Sequence, residues 1–268
     1  MSEVKPLLGV ILCDLDSYPV DYVECLTPDA PGISDNPVGF FENPASWQGL
    51  PVAYAVARGA RVEPLVNGEP EAVEAFWAAS EKLAHCPLVI TDCGFFFYAR
   101  KDMRQTANVI TSGLDLLPIA SVLTSKDIGV LTVSESLATK LLGDHVLSSR
   151  IVIAGMEGEP GWATMLTNDH ALGNGWDQPL LKEGVASVVR REFGPGGRFE
   201  NIGVLVLECT LLPEFRREIR KYTSVPILDV ASFALNALGA GFDAGADAAD
   251  GPAADGNSAA GAHAASVQ

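Results

Sequence analysis

Short apolar runs recur along the chain, separated by stretches where apolar side chains return every three or four positions. Leu7–Leu12, Leu88–Thr91, Ile128–Val133, Arg150–Ala154, Ile202–Leu207 and Val225–Leu228 read as strands, with Val62–Val66 as a further one. Helical spacing falls on Trp47–Arg58, Pro70–Ala84, a segment opening near Ser134, Gln178–Phe193, Pro213–Tyr222 and Val230–Leu238. Within Pro70–Ala84 the stripe is Val73, Phe76, Trp77 and Leu83. Strands that are apolar throughout need cover on both faces. Helices alternating with them supply it, so the pattern predicts an α/β fold built on parallel sheets.

The order also repeats. Leu88-Val-Ile-Thr-Asp-Cys93-Gly and Val204-Leu-Val-Leu-Glu-Cys209-Thr are each an apolar strand followed by an acid, a cysteine and a small residue. This predicts two similar lobes, each a parallel sheet flanked by helices, related by a pseudo-two-fold axis with the active site in the cleft between them. The first lobe is expected over residues 1–115 with 216–239 returning to it, and the second over 116–215. Residues 240–268 hold 12 Ala, 5 Gly and 4 Asp without a Lys or Arg, and are read as a disordered tail.

Composition narrows the function. The chain has 268 residues, and 18 Lys+Arg against 34 Asp+Glu leave a net charge of −16. Nucleic acid and anionic membrane require a basic face, so neither is an expected partner. No apolar run approaches the ~20 residues that span a bilayer. Leu7–Cys13 ends at once in Asp14-Leu15-Asp16, which argues against a secretory signal and for a cytoplasmic protein. The five cysteines (13, 25, 86, 93, 209) form no CxxC pair and read as free thiols. His85, His145, His170 and His263 lack ligand spacing, so no metal is expected. The loop Gly155-Met-Glu-Gly158-Glu-Pro-Gly161 lacks a phosphate-binding pattern.

Ligands of parallel α/β sheets bind at the carboxyl ends of strands. Cys93 and Cys209 both fall there, each ahead of a turn or a helix start. Backbone N–H groups at such a start favour a thiolate and also hold a carboxylate. Two sulfurs flanking one carbon, each about 3–3.5 Å from it, stand roughly 7 Å apart, a spacing suited to two-base proton transfer rather than a disulfide. The N–H groups of Gly94, Phe95, Thr210 and Leu211 and the hydroxyls of Thr132 and Ser134 are candidate donors to the substrate. Asp92 and Glu208 are placed to orient or deprotonate the adjacent thiols.

The Asp-Cys93-Gly and Glu-Cys209-Thr-Leu-Leu-Pro segments resemble the two signature segments of the aspartate/glutamate racemase superfamily, which includes hydantoin racemase, maleate isomerase and arylmalonate decarboxylase. The strand from Gly129 to Ser134 is similar to that family's central strand, whose hydroxyls bind the substrate carboxylate. The resemblance spans roughly residues 7–238. It implies a cofactor-independent racemase or epimerase, with Cys93 and Cys209 as opposed acid and base on the α-carbon of an amino acid or related carboxylate. It further implies substrate contacts from Gly94, Phe95, Thr132, Ser134, Thr210, Leu211 and Asp14. Expected partners are that small molecule and, at most, further copies of the chain. The sequence departs from the pattern after the first cysteine, where Gly94-Phe95-Phe96-Phe97 replaces Asn-Thr. The Asp-Ser expected after the first strand is matched only by Cys13-Asp14 or Asp16-Ser17. A cis–trans isomerase, a decarboxylase and a non-catalytic carboxylate-binding protein remain as alternatives.

Overall fold

Leu8–Leu12 (β1) is buried along its whole length, and its alternate residues divide between two cores. Ile11 and Cys13 join Phe76, Trp77 and Leu83 on one face, while Leu8, Val10 and Leu12 join Trp47, Val230 and Ala234 on the other. That division is the period-two geometry of a strand covered on both sides. The computed structural model describes residues 4–14, 18–27, 29–30, 33, 36–102, 104, 108–163 and 177–239. The expected tail, with His170 and His263 and with Asp16-Ser17, lies outside them.

Beside β1 lie Tyr22–Leu26 (β2), Val52–Val56 (β3), Leu88–Thr91 (β4) and Val109–Ile110 (β5), in the order β2-β3-β1-β4-β5. Only the edge strand β2 is antiparallel. The second sheet holds Ile128–Thr132 (β6), Ile151–Gly155 (β7), Val204–Leu207 (β8) and Ile227–Leu228 (β9), all parallel, in the order β7-β6-β8-β9. The parallel strands of both sheets therefore share one topology: the second strand, the first, the third and the fourth. The registers match as well. Leu8 faces Leu88 and Ile128 faces Val204, so each cysteine lies five residues beyond an equivalent pair. The ladder bonds just before the cysteines also correspond, with Asp92 N donating to Ile11 O (3.0 Å) and Glu208 N to Leu131 O (2.9 Å). The closing helix Val230–Ala237 packs in the first sheet's core, while Ile219 and Ile227 pack in the second's.

Two expected elements exchange type. Trp47–Arg58 is not a helix. A 3-10 turn, Pro44–Trp47, is capped by the Asn43 side chain and ends at Gln48 and Gly49, whose φ values of 51° and 93° cannot continue a helix. Val52–Val56 beyond it is a strand. Val62–Val66 is not a strand but the helix Val62–Asn67. Both neighbours of β1 are already taken by β3 and β4, and Gly68 (φ 71°) closes the helix by donating to Leu65 O. Pro213–Tyr222 divides into a 3-10 turn, Leu212–Phe215, and one short helical turn, Arg216–Ile219. Among the described residues no helix is long and apolar enough to cross a membrane.

The two sheets meet through close backbone contact. A Cβ at Gly113 would stand 2.0 Å from the carbonyl oxygen of Leu207, so that position admits glycine alone without displacement of β8. Gly113→Ala is expected to cost about 1–3 kcal/mol, as overpacking does. Gly158→Ala, whose Cβ meets nothing within 4 Å, is expected to be nearly silent. Urea midpoints of the two variants against the wild type measure the difference.

Candidate active site

Beyond β4 the chain turns at Cys93 and winds as 3-10 turns over Gly94–Asp102. Thr91 fixes that turn by donating its hydroxyl to Cys93 O (3.1 Å) and Thr111 O (2.9 Å). Beyond β8 the chain turns at Cys209, and Leu212 N donates to Cys209 O (3.1 Å). The two turns cross. The Thr210 hydroxyl donates to the carbonyl of Asp92. Gly94 lies so close to Glu208 that a Cβ there would stand 2.4 Å from the Glu208 carbonyl oxygen and 2.1 Å from its Oε1. Residue 92 meets 210 and residue 94 meets 208, so Cys93 and Cys209 are the middle pair of an antiparallel crossing. Each sulfur receives an N–H from two residues on, Phe95 for Cys93 and Leu211 for Cys209, with Leu212 adding another. Cys209 is 8% exposed. Cys93 is half-buried and packs against the cores of both sheets.

These N–H groups do not produce thiolates at rest, contrary to the expectation from helix starts. The Cys13 side chain, burial and the neighbouring Asp92 all push the Cys93 thiol up, against Phe95 N–H alone. Burial pushes Cys209 up, with added repulsion from Glu208 and Cys93, against Leu211 and Leu212. At Cys209 desolvation outweighs the N–H bonds because a buried charged sulfur loses its hydration, whereas at Cys93 the Cys13 side chain is the largest influence.

The other expected residues divide. Thr132 is fully buried, and its hydroxyl is spent on Glu208 Oε2 (2.7 Å). Ser134 caps the helix Glu135–Leu142, its Oγ accepting from Leu137 N (3.4 Å). Asp14 is tied to its own lobe: Arg58 Nη1 donates to Oδ1 (2.9 Å) and Gly59 N to Oδ2 (2.8 Å). Gly94, Phe95, Thr210 and Leu211 are brought to the crossing, while the side chains of Asp14, Thr132 and Ser134 are hydrogen-bonded to groups of the protein. Lys126 and Lys140 are exposed. Among the described residues no group of three or more His, Cys, Asp or Glu is placed to hold a metal ion.

The fold adds Glu42 and Tyr18 to the two acids named from the sequence. Asp92 is held far above the usual carboxylate range by burial and by Glu42, although Cys13 N donates to its Oδ1 (2.8 Å). Glu42 is itself raised by burial and accepts from the Tyr18 hydroxyl (3.2 Å). Tyr18 and Glu42 come from loops whose approach to Asp92 no sequence period records. Glu208 is 1% exposed, and its Oε1 has no hydrogen-bond partner. Burial raises its carboxyl from 4.5 to about 7, against the Thr132 bond.

With that placement established, the chain can be compared with known proteins. No family model matches it. It is similar to a dimethylsulfoniopropionate lyase of Durusdinium sp. clade D, 23% identical over 237 residues that cover 83% of this chain and 70% of the relative. It is also similar to dimethylsulfoniopropionate lyases 6 and 3 of Emiliania huxleyi (strain CCMP1516), each 26% identical over 242 residues that cover 84% of this chain. The chain spans 57% of the length of those two relatives. Among solved structures it is similar to Picrophilus torridus aspartate racemase, with a TM-score of 0.49 and 14% identity, covering 87% of this chain and 94% of that one.

The Glu208 carboxyl binds its proton more tightly folded than unfolded. Stability present below pH 4.5 is therefore lost as the pH rises to about 7. Glu208→Gln removes that loss. Relative to the wild type, the variant is expected to gain about 3 kcal/mol between pH 4.5 and pH 7.5. Urea denaturation of both proteins at the two pH values measures it.

Proposed function

We propose that the chain is a cofactor-independent enzyme that moves a proton at the carbon next to a carboxylate, with Cys93 and Cys209 as the opposed acid and base. The observation that carries this reading is the antiparallel crossing of Asp92–Gly94 with Glu208–Thr210, which makes the two thiols the middle pair. In each turnover one sulfur enters as thiolate and takes the α-proton, while the other faces the same carbon as a thiol. The N–H groups of Phe95, Leu211 and Leu212 offset part of the cost of the thiolate.

Two outcomes branch from the carbanion. If the opposite thiol returns a proton, the centre is inverted, which is racemisation or epimerisation. If the β-carbon carries a leaving group, the electron pair of the broken C–H bond forms a C=C bond and the group departs with the pair of its own bond. The similarity to the three lyases favours elimination as the second reading. On dimethylsulfoniopropionate this chemistry releases dimethyl sulfide and leaves acrylate, and the proton taken from the α-carbon balances the step.

One experiment addresses both. The full chain is incubated in D2O with a panel of amino acids and with dimethylsulfoniopropionate. Solvent deuterium is expected at the α-carbon of a turned-over amino acid. Dimethyl sulfide is expected if elimination is the reaction. Cys93→Ala and Cys209→Ala are each expected to slow racemisation at least ~100-fold, the scale of one general acid or base, whereas elimination, which uses one base, is expected to fall that far in only one of them. Racemisation undiminished in either variant overturns the two-thiol mechanism.

A further inference from the structure

Only one of the two site thiols has a second sulfur beside it. The β1–β4 register runs from Leu8 opposite Leu88 to Ile11 opposite Thr91, and just past the strand ends Cys13 N donates to Asp92 Oδ1 (2.8 Å), which brings Cys13 alongside Cys93. In the second sheet the register runs from Ile128 opposite Val204 to Leu131 opposite Leu207, and two residues on it sets Val133 opposite Cys209. An apolar side chain thus fills in the second sheet the place that a thiol holds in the first. Register partners project to the same face of a sheet. Cys13 lies in the core formed by Ile11, Ala57 and Phe96, and Cys93 packs against that same core. The two side chains are in contact. Neighbouring strands run about 4.8 Å apart, within the roughly 4.4–6.8 Å that a disulfide spans between Cα atoms. Cys13 is 5% exposed and donates its thiol proton to Ala60 O (3.0 Å), whereas Cys93 is half-buried and is the sulfur a small oxidant reaches first.

We propose that Cys13 is the resolving thiol of Cys93, and that hydrogen peroxide converts the pair into an intrachain disulfide. Cys93 gives up its proton to solvent, its sulfur attacks one peroxide oxygen, and the O–O bond breaks. Hydroxide leaves and takes up a proton to become water, and Cys93 becomes a sulfenic acid. The Cys13 sulfur then attacks the Cys93 sulfur, the S–O bond breaks, and a second water departs with the Cys13 proton. Two thiols have lost two protons and two electrons, and one peroxide has become two waters. The bond removes Cys93 from the crossing. On the proton-transfer reading above, on which this consequence rests, oxidation stops turnover and a thiol reductant restores it.

The full-length wild type and Cys13→Val are treated with hydrogen peroxide, blocked with N-ethylmaleimide, digested and mapped by mass spectrometry. The wild type is expected to lose two hydrogens, to yield a peptide joining Cys13 to Cys93, and to recover both thiols in dithiothreitol. In Cys13→Val, Cys93 is expected to pass on to sulfinic and sulfonic acid, which dithiothreitol does not reverse. Cys93 over-oxidised in the wild type, or joined to any other cysteine, overturns the proposal, and this outcome needs no variant to fold. Formation of the Cys13–Cys93 bond with turnover intact supports the pairing and sinks the catalytic role of Cys93, so the two failures are distinct.

Discussion

The structure depends on a crossing of two backbone turns, one beyond a strand of each sheet. Thr210 reaches over to the Asp92 carbonyl, and Gly94 lies flat against Glu208. One contact joins a side-chain hydroxyl to a backbone carbonyl and the other brings backbone against backbone, and together they hold Cys93 and Cys209 at the crossing. A side chain at residue 94 would force the turns apart and separate the sulfurs. The departure from an Asn-Thr pair after the first cysteine is intelligible in these terms: glycine stands where the opposite turn leaves no room.

The crossing also determines the electrostatics. Excluding water from the seam places two thiols and the carboxyls of Asp92, Glu42 and Glu208 in surroundings that oppose ionisation, and all five are shifted upward. Backbone N–H groups on each sulfur partly offset this. The shifts favour the protonated form of each of these groups. The lobes are unequal in how they hold their acid. Asp92 is bonded by the Cys13 amide, whereas Glu208 is bonded by the Thr132 hydroxyl and keeps one oxygen unpartnered.

Much of the fold was legible in the residues. The buried strands at Leu8, Leu88, Ile128 and Val204 and the helices at Pro70 and Gln178 carry strong local signals, because a strand covered on both faces must be apolar throughout and a surface helix must show its stripe. The readings failed where local signals were equivocal. Val52–Val56 and Val62–Asn67 are both short and apolar, and their types were decided by left-handed residues at Gln48 and Gly49 and by the absence of a free edge beside β1. Of the site, the cysteines and their following N–H donors could be read from the strand-acid-cysteine repeat. The present partners of Asp14, Thr132 and Ser134 could not, because which group a hydroxyl or carboxylate near a strand end meets is set by elements distant in the chain.

The sequence by itself determined that this chain makes parallel sheets with a cysteine at the end of one strand in each, since side-chain periodicity and strand-end residues are local properties. Only the tertiary structure decided that the two turns cross antiparallel, that Tyr18 and Glu42 join Asp92, and that both thiols are held protonated. Each of these depends on which surfaces exclude water together, and burial is a property of the assembled chain rather than of any segment within it.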